Sequence, residues 1–264
     1  MNFFYFSYST PPSLLCTSLL DLCSNHPSPL VDLQIKATRP SVVGYQQNAT
    51  VNGNQGVGAT FLPVSGTAKM GDITVTGYGD SYADNGIYCC KLDTYGRSQT
   101  LMFWADYTEG NESWYGWYNA DWDVCYNDVE LQPGEGIWFN SPNETFKVQS
   151  SGAVLSETLP VALVNGNQLC PNPTPIVVSM GSVWMTGYGD SYADNGIYCC
   201  KLDTYGRSQT LMFWADYTED EETWYGWYNA DWDVEYNGVE LQPGESVWLN
   251  SPSASYLLNW PKAL

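Results

Sequence analysis

The chain has 264 residues, of which 44% are hydrophobic and 15% are aromatic, so it can build packed cores and we do not expect wholesale disorder. It carries 29 acidic residues against 9 basic ones, a net charge of −20. This charge disfavours nucleic acid and anionic membranes as partners, and it favours cations and neutral polar ligands. No apolar run approaches the ~18 residues of a membrane span, so we expect no membrane insertion.

Residues 1–30 differ in composition from the rest of the chain. They are rich in Ser and Pro, and the first basic residue is Lys36. A signal peptide begins with a positively charged segment, which is missing here. We expect a disordered or mis-assigned leader, with a degenerate export signal as the second interpretation.

An internal repeat dominates the remaining sequence. Residues 76–109 recur without change at 186–219, an offset of 110 residues. The pentapeptide VNGNQ at 51–55 returns at 164–168, so the repeat begins before the identical block. A period of this length predicts two tandem domains, a first repeat over 31–152 and a second repeat over 153–264. The short joint predicts that they lie in contact or nearly so.

Within each repeat the hydrophobic pattern alternates with a period of two. Short runs such as GIYCCKL and QTLMFWADY are rich in β-branched and aromatic residues. Turn sequences such as DNG, NAD and QPGE separate them. The pattern predicts an all-β fold of two small β-sandwich or β-barrel-like domains, each of about 110 residues.

Adjacent cysteines occur once in each repeat, at Cys89-Cys90 and at Cys199-Cys200. Neighbours on a strand point to opposite faces, so the pattern predicts one buried and one outward thiol per repeat. A metal pair or a redox switch is the alternative.

The loop GYGDSYADNG has alternating acidic residues, which is typical of calcium loops. Its spacing does not match an EF-hand, because Lys91 stands where a bidentate Glu is needed. A looser calcium site would use Asp80 and Asp84, and Asp190 and Asp194 in the second repeat. The alternative is a polar turn that caps its own backbone. Calcium is therefore the one cofactor left open.

An aromatic cluster follows in each repeat, with the sequence WYGWYNADWD. Exposed indole faces beside carboxylates would suit sugar rings and their hydroxyl groups. The candidate ligand-binding residues are Trp114, Trp117, Trp122 and Asp121 in the first repeat, and Trp224, Trp227, Trp232 and Asp231 in the second. The alternative is that these tryptophans are core residues, and alternation would bury about half of them.

Catalytic patterns are weak. The only histidine, His26, lies in the leader, which removes Ser–His and Cys–His pairs from both repeats. Asp121 and Asp123 would share one strand face, but acidic pairs are common in a chain with this charge. We expect no enzymatic activity.

Two segments of the repeat carry a resemblance. Gly166–Pro175 matches an opening segment G-N-x-L-x-x-N-P-T-P, and Leu131–Trp138 and Leu241–Trp248 match a closing strand L-x-P-G-E-G-x-W. The final glycine of that strand is kept only in the first repeat, whose opening, Gly53–Pro63, departs from the pattern. The sequence resembles repeat units of uncharacterised secreted or cell-surface bacterial β-proteins.

The resemblance implies export, tandem display, and a binding or scaffolding role. We therefore expect a secreted or cell-surface tandem β-repeat protein with a structural or adhesive role. Its partners would be other repeats, surface proteins or glycans. The alternative hypothesis is a tandem carbohydrate-binding module that uses exposed Trp clusters, with or without calcium.

Overall fold

The computed structural model describes residues 43–50, 52–59, 62–63, 67–77, 86–92, 97–132, 134–188, 196–202 and 208–264. This part of the chain is all-β, as predicted, and its strands form antiparallel sheets. Its helical elements are two single 3-10 turns, Met70–Asp72 and Met180–Ser182. None of the described helical segments is long or apolar enough to cross a membrane.

The strands of the first repeat form three sheets. A five-stranded sheet has the order β2 (Gly53–Val57), β9 (Ile137–Ser141), β5 (Tyr88–Leu92), β6 (Ser98–Glu109) and β7 (Glu112–Tyr118). A three-stranded sheet has the order β1 (Val43–Ala49), β10 (Lys147–Ala153) and β4 (Thr74–Thr76). A two-stranded ribbon joins β3 (Ala68–Lys69) and β8 (Glu130–Leu131).

The second repeat has the same set of sheets in the same order. Its five-stranded sheet contains β12 (Gly166–Pro171), β19 (Ser246–Ser251), β15 (Tyr198–Leu202), β16 (Ser208–Glu219) and β17 (Glu222–Tyr228). Its smaller sheets contain β11 (Leu159–Ala162), β20 (Leu257–Trp260) and β14 (Trp184–Thr186), and β13 (Val178–Ser179) with β18 (Glu240–Leu241). Each described sheet ends in two edge strands, so none of them closes into a barrel.

The core of each repeat lies on the inner face of its five-stranded sheet. In β6, Met102 and Trp104 are buried while Leu101 and Phe103, on the other face, are not. Trp104 packs edge-on against Trp117 with ring centroids 5.2 Å apart, and the Trp117 Nε1–H donates to the Ile73 carbonyl at 2.8 Å. This bond leaves the indole nitrogen satisfied, so the whole ring can be buried without a polar penalty.

The opening segment of the second repeat is held by a buried side chain. The Asn172 Nδ2–H donates to the carbonyls of Ile176 at 2.8 Å and of Leu241 at 3.2 Å. Its Oδ1 accepts from the backbone N–H and the hydroxyl of Thr174, at 3.0 and 2.7 Å. One asparagine thus ties the opening segment to the strand that begins the closing segment. The first repeat has Ala59 at this position, so it lacks the clamp.

The two repeats touch where the edge strand β2 meets β12 and β19. Gly136 N–H donates to the Leu169 carbonyl at 2.9 Å, and Gly58 N–H donates to the Gly244 carbonyl at 3.2 Å. Glycines of the first repeat lie against bulkier residues that stand at corresponding positions in the second: Gly56, Gly58 and Gly136, against Leu169, Pro171 and Ser246.

These contacts are reciprocal. A Cβ added at Gly58 would lie 2.3 Å from Pro171, its own counterpart in the second repeat. A Cβ at Gly56 would lie 2.7 Å from Ser246, and one at Gly136 would lie 3.0 Å from Leu169. Since Gly56 corresponds to Leu169 and Gly136 to Ser246, the interface is close to two-fold symmetric in position. The side chains in the interface differ in size, because the first repeat contributes glycines and the second repeat contributes larger residues.

Candidate functional site

The outer face of each five-stranded sheet carries a row of side chains that runs across all five strands. In the first repeat, hydrogen-bonded pairing aligns the members of this row as Asn54, Asn140, Tyr88, Phe103 and Tyr118. In the second repeat it aligns Asn167, Asn250, Tyr198, Phe213 and Tyr228. Paired residues of antiparallel strands share a face, so each row presents two amides followed by three aromatic rings. We call it the cross-strand row.

In each row the tyrosine of the middle strand packs against the phenylalanine beside it, and all three rings are only partly covered. The centroids of Tyr88 and Phe103 are 6.1 Å apart, and those of Tyr198 and Phe213 are 5.9 Å apart. All five members of the first row are half-buried.

Trp122 lies over the aromatic end of the row. Its ring centroid is 6.2 Å from that of Phe103 and 6.3 Å from that of Tyr118. Its φ is 61°, and Trp232 repeats this value in the second repeat. A left-handed backbone costs an L-residue roughly 1–2 kcal/mol, so the surrounding loop must enforce it.

Asn119 holds that loop closed. Its Oδ1 accepts from the backbone N–H groups of Asp123 and Val124, both at 3.1 Å, and its Nδ2 donates to the Asp123 carboxylate at 2.6 Å. The Trp122 backbone N–H donates to the Asn119 carbonyl at 3.2 Å. The NADWD sequence therefore forms a hydrogen-bonded turn, and this turn fixes the position of the Trp122 indole.

Trp114 completes the aromatic surface beside the row. It stacks on Tyr107, with centroids 5.7 Å apart and an interplanar angle of 22°. Its Nε1–H donates to the Trp122 carbonyl at 3.2 Å. Trp224 stacks on Tyr217 in the same way, at 5.7 Å and 23°.

The structure separates the residues of the predicted Trp cluster. Trp114, Trp122, Trp224 and Trp232 are half-buried and lie on the aromatic outer surface. Trp117 and Trp227 are completely buried in the two cores, so the predicted exposed platform is wrong for them. β7 points Trp114 and Trp117 to opposite faces because they are three residues apart. Asp121 and Asp231 are exposed at the loop tips.

Sequence reasoning did not identify Tyr88, Phe103, Tyr107 or Tyr118. Alternation could have indicated part of this surface, because Phe103 and Tyr107 are an even number of residues apart on β6 and therefore lie on the same face. The register that brings Tyr88 and Asn140 beside Phe103 joins distant parts of the chain, which alternation within one strand does not specify.

The polar end of the row differs between the repeats. The Asn140 Nδ2–H donates to Asn54 Oδ1 at 2.9 Å, and Asn250 donates to Asn167 Oδ1 at the same distance. In the second repeat, Asn167 Oδ1 also accepts from the Trp248 Nε1–H at 3.1 Å. The corresponding Trp138 Nε1–H has no hydrogen-bond partner among the described residues. Trp138 pairs across strands with Gly56, whereas Trp248 pairs with Leu169.

Lysines beside the closing strand are paired with carboxylates. Lys91 Nζ lies 3.0 Å from Glu135 Oε1, and Lys201 Nζ lies 2.8 Å from Glu245 Oε1. The same glutamates accept from the backbone N–H groups of Gln132 and Gln242, at 2.9 and 2.8 Å, which closes the QPGE turns. These charges therefore fix the turns. None of them belongs to the cross-strand row.

The adjacent cysteines are both buried in each repeat, which corrects the prediction of one outward thiol. Cys90 lies on the outer face of its strand but is only 2% exposed, between its cross-strand neighbours Trp138 and Leu101. Burial raises the pKa of Cys89 and of Cys199 well above the usual value. None of the six cysteines in the described part of the chain forms a disulfide bond.

A hydrogen-bonded chain closes one end of the second core. The Trp214 Nε1–H donates to Tyr188 Oη at 3.0 Å, and the Tyr188 hydroxyl donates to Asp216 Oδ2 at 2.9 Å. Burial raises the pKa of Tyr188, so the phenol stays protonated at neutral pH. The chain satisfies a buried indole nitrogen.

The predicted calcium ligands Asp80, Asp84, Asp190 and Asp194 lie outside the described residues. Within the described ranges, no group of three or more His, Cys, Asp or Glu side chains is placed to hold a metal ion.

Comparison with known proteins gives no relative: no family model, no curated protein and no solved structure matches the chain.

Proposed function

We propose that the protein is a non-enzymatic tandem β-repeat protein of the cell surface or extracellular space, and that it has an adhesive role. Each repeat binds through its aromatic outer surface. The observation that carries this proposal is the cross-strand row with Trp122 held over it, present in both repeats.

A purely structural role for these rings would leave their position unexplained. The core already has its own aromatic residues, Trp104, Trp117 and Phe139, all completely buried. The outer rings pack on the far side of the same sheet and remain half-exposed. Aromatic residues are enriched at recognition surfaces because they offer large, rigid contact areas. A tryptophan kept in a left-handed backbone conformation supports the same interpretation.

One carboxylate in the loop of each repeat has a structural partner. Asp123 accepts a hydrogen bond from Asn119 that closes its loop, which supports a structural role for this carboxylate. We assign the extracellular location on the resemblance of the repeat segments, and the adhesive role on the outer surface.

Two copies of one surface on one chain permit bivalent binding. When both repeats engage the same target, the second contact forms at a high effective concentration. Singly weak sites then give strong attachment, which suits adhesion.

The test uses the full chain, immobilised and exposed to a panel of cell-wall polysaccharides and purified surface proteins. We expect retention of at least one target. Trp122→Ala or Trp232→Ala alone should weaken it, and the double variant should weaken it by roughly 10²-fold or more, since avidity is lost as well.

The matched control is Val124→Ala with Val234→Ala, since these valines are 44% exposed in the same loops and lie outside the aromatic surface. The proposal fails if no target is retained, or if the double Trp variant binds as well as the valine control.

A further inference from the structure

We propose that the ligand of each aromatic surface is an uncharged oligosaccharide that lies across the five strands, along the cross-strand row. This inference rests on the proposed function and names its ligand class.

The shape of the site favours a linear ligand. The row has one member on each of five neighbouring strands. With strands 4.7–4.9 Å apart, it extends over roughly 19 Å, and successive side chains are about one strand spacing apart. On one side the row is bordered by Ala105 and Gly116, which are both buried, with the Asn127 side chain beside Gly116. A chain of sugar rings fits this geometry because each ring can rest on one side chain of the row.

The chemistry of the row fits hydroxyl groups. Its aromatic end offers flat faces, and its other end offers amides. In the first repeat the single bond between Asn140 and Asn54 leaves the Asn54 Nδ2–H₂ and the Asn140 Oδ1 available. An amide donates and accepts at the same time, and so does a sugar hydroxyl.

Charge selects among the glycans. The row contains no ionised side chain, and the exposed Asp121 and Asp123 lie beside Trp122 at its aromatic end. With a net charge of −20, the chain repels uronic acids and sulfated sugars. The nearby Lys91 does not offset this, because it is already paired with Glu135. A neutral glycan is the ligand class that avoids repulsion and uses the amides.

The two sites are not equivalent. The Trp138 Nε1–H is available in the first repeat, whereas the Trp248 Nε1–H already donates to Asn167. Asn167 also lines a cleft of about 200 Å³ whose lining includes Lys91 and Leu92 of the first repeat. The first repeat is therefore the stronger site, because it offers one more free donor to the ligand.

The experiment is a titration of the full chain with neutral oligosaccharides of several linkages, from disaccharide to hexasaccharide, followed by calorimetry. Oligogalacturonate and an oligolysine peptide serve as the anionic and cationic probes. We expect saturable binding of at least one neutral series, with affinity that rises with length and then levels off. The anionic probe should bind at least tenfold more weakly, and any binding of oligolysine, which the net charge of −20 attracts, should not depend on the residues of the row.

Three variant pairs locate the ligand. Phe103→Ala with Phe213→Ala should lower affinity roughly tenfold or more, since it removes the central ring of each row. Leu101→Ala with Leu211→Ala should change it less than about twofold, because these residues lie outside the row and two strands away from Trp138 and Trp248. Trp138→Phe, which keeps the ring and removes the N–H, should weaken binding, whereas Trp248→Phe should not.

Each outcome has a distinct meaning. Row-dependent binding of oligolysine or oligogalacturonate, or of proteins alone, overturns the ligand class and leaves the proposed function in place. An affinity that does not depend on length overturns the arrangement across the strands. If neither the Phe variants nor the Trp122 variant changes the affinity, and the melting curves of these variants match that of the parent, the proposed function itself is overturned.

Discussion

The contact between the repeats gives the sharpest stability prediction, at Gly58. A Cβ at residue 58 would lie 2.3 Å from Cγ and 2.5 Å from Cβ of Pro171, whereas ordinary carbon contacts are ~3.5–4.0 Å. The backbone of Gly58 is not in the left-handed region, so the cost of Gly58→Ala in the folded state is steric. Overpacking of this kind costs about 1–3 kcal/mol, partly offset by about 0.4–1 kcal/mol because alanine restricts the unfolded chain.

The matched control is Gly238→Ala. An added Cβ there meets nothing within 4 Å, and the first repeat already carries Asp128 at the corresponding position. This substitution should be neutral or stabilise by up to about 1 kcal/mol. In urea unfolding followed by Trp fluorescence, the two variants should therefore differ by about 2 kcal/mol, with a melting difference of roughly 4–8 °C.

A double variant separates the steric clash from other effects. Pro171→Gly removes the atoms that a Cβ at residue 58 would meet, so it should recover most of the loss caused by Gly58→Ala. If Gly58→Ala unfolds like Gly238→Ala, or if Pro171→Gly gives no recovery, the repeats do not pack through this contact and the reasoning is refuted.

Three further predictions concern single residues. Because Trp122 has a φ of 61°, Trp122→Gly should be more stable than Trp122→Ala by about 1 kcal/mol in urea unfolding, and the opposite order would contradict the left-handed conformation. Burial raises the pKa of the Cys170 thiol to about 12, so the unfolded chain loses this proton near pH 9 while the folded chain keeps it. Stability should fall between pH 9 and 12, and Cys170→Ala should reduce that slope by one proton, ~1.4 kcal/mol per pH unit. Asn127 accepts from the Trp117 N–H at 2.8 Å and donates to the Tyr115 carbonyl at 3.0 Å, so Asn127→Ala should cost about 1–3 kcal/mol, and a melting curve unchanged from the parent would show that these bonds contribute nothing.

The fold class could be predicted because it depends on local patterns. Alternation along segments such as QTLMFWADY indicates strands, and the turn sequences mark their ends. The burial of Met102 and Trp104 and the partial exposure of Phe103 follow the same alternation. These features depend on neighbours in the chain, so one sequence was sufficient to predict them.

The site could be predicted only in part, because it depends on register. Trp114 and Trp117 are only three residues apart in the sequence, yet they lie on opposite faces of one strand. Trp122 returns to the outer face through a left-handed turn that alternation cannot anticipate. Asn140 reaches Tyr88 through pairing between strands about 50 residues apart in the chain. Local chemistry therefore identified an aromatic segment that lies partly on the outer face, but it wrongly predicted that Trp117 is exposed there.

The differences between the repeats became informative only in three dimensions. In the sequence, Gly136 and Ser246 are corresponding positions that differ between the repeats. In the structure, both lie in the contact between the repeats, where a glycine in one repeat accommodates a larger residue in the other. Divergence at such positions reflects the pairing of two unequal surfaces.

The most direct test of the binding surface is an NMR titration that follows the indole N–H resonances while neutral oligosaccharide is added. Assignment would use single Trp→Phe variants. We predict that the resonances of Trp122, Trp138 and Trp232 shift in a saturable way. Those of Trp117 and Trp227 should stay in place, because these indoles are buried and donate to the carbonyls of Ile73 and Val183. Shifts confined to other tryptophans, or no saturable shift with any ligand of the panel, would contradict a binding role for the aromatic outer surface.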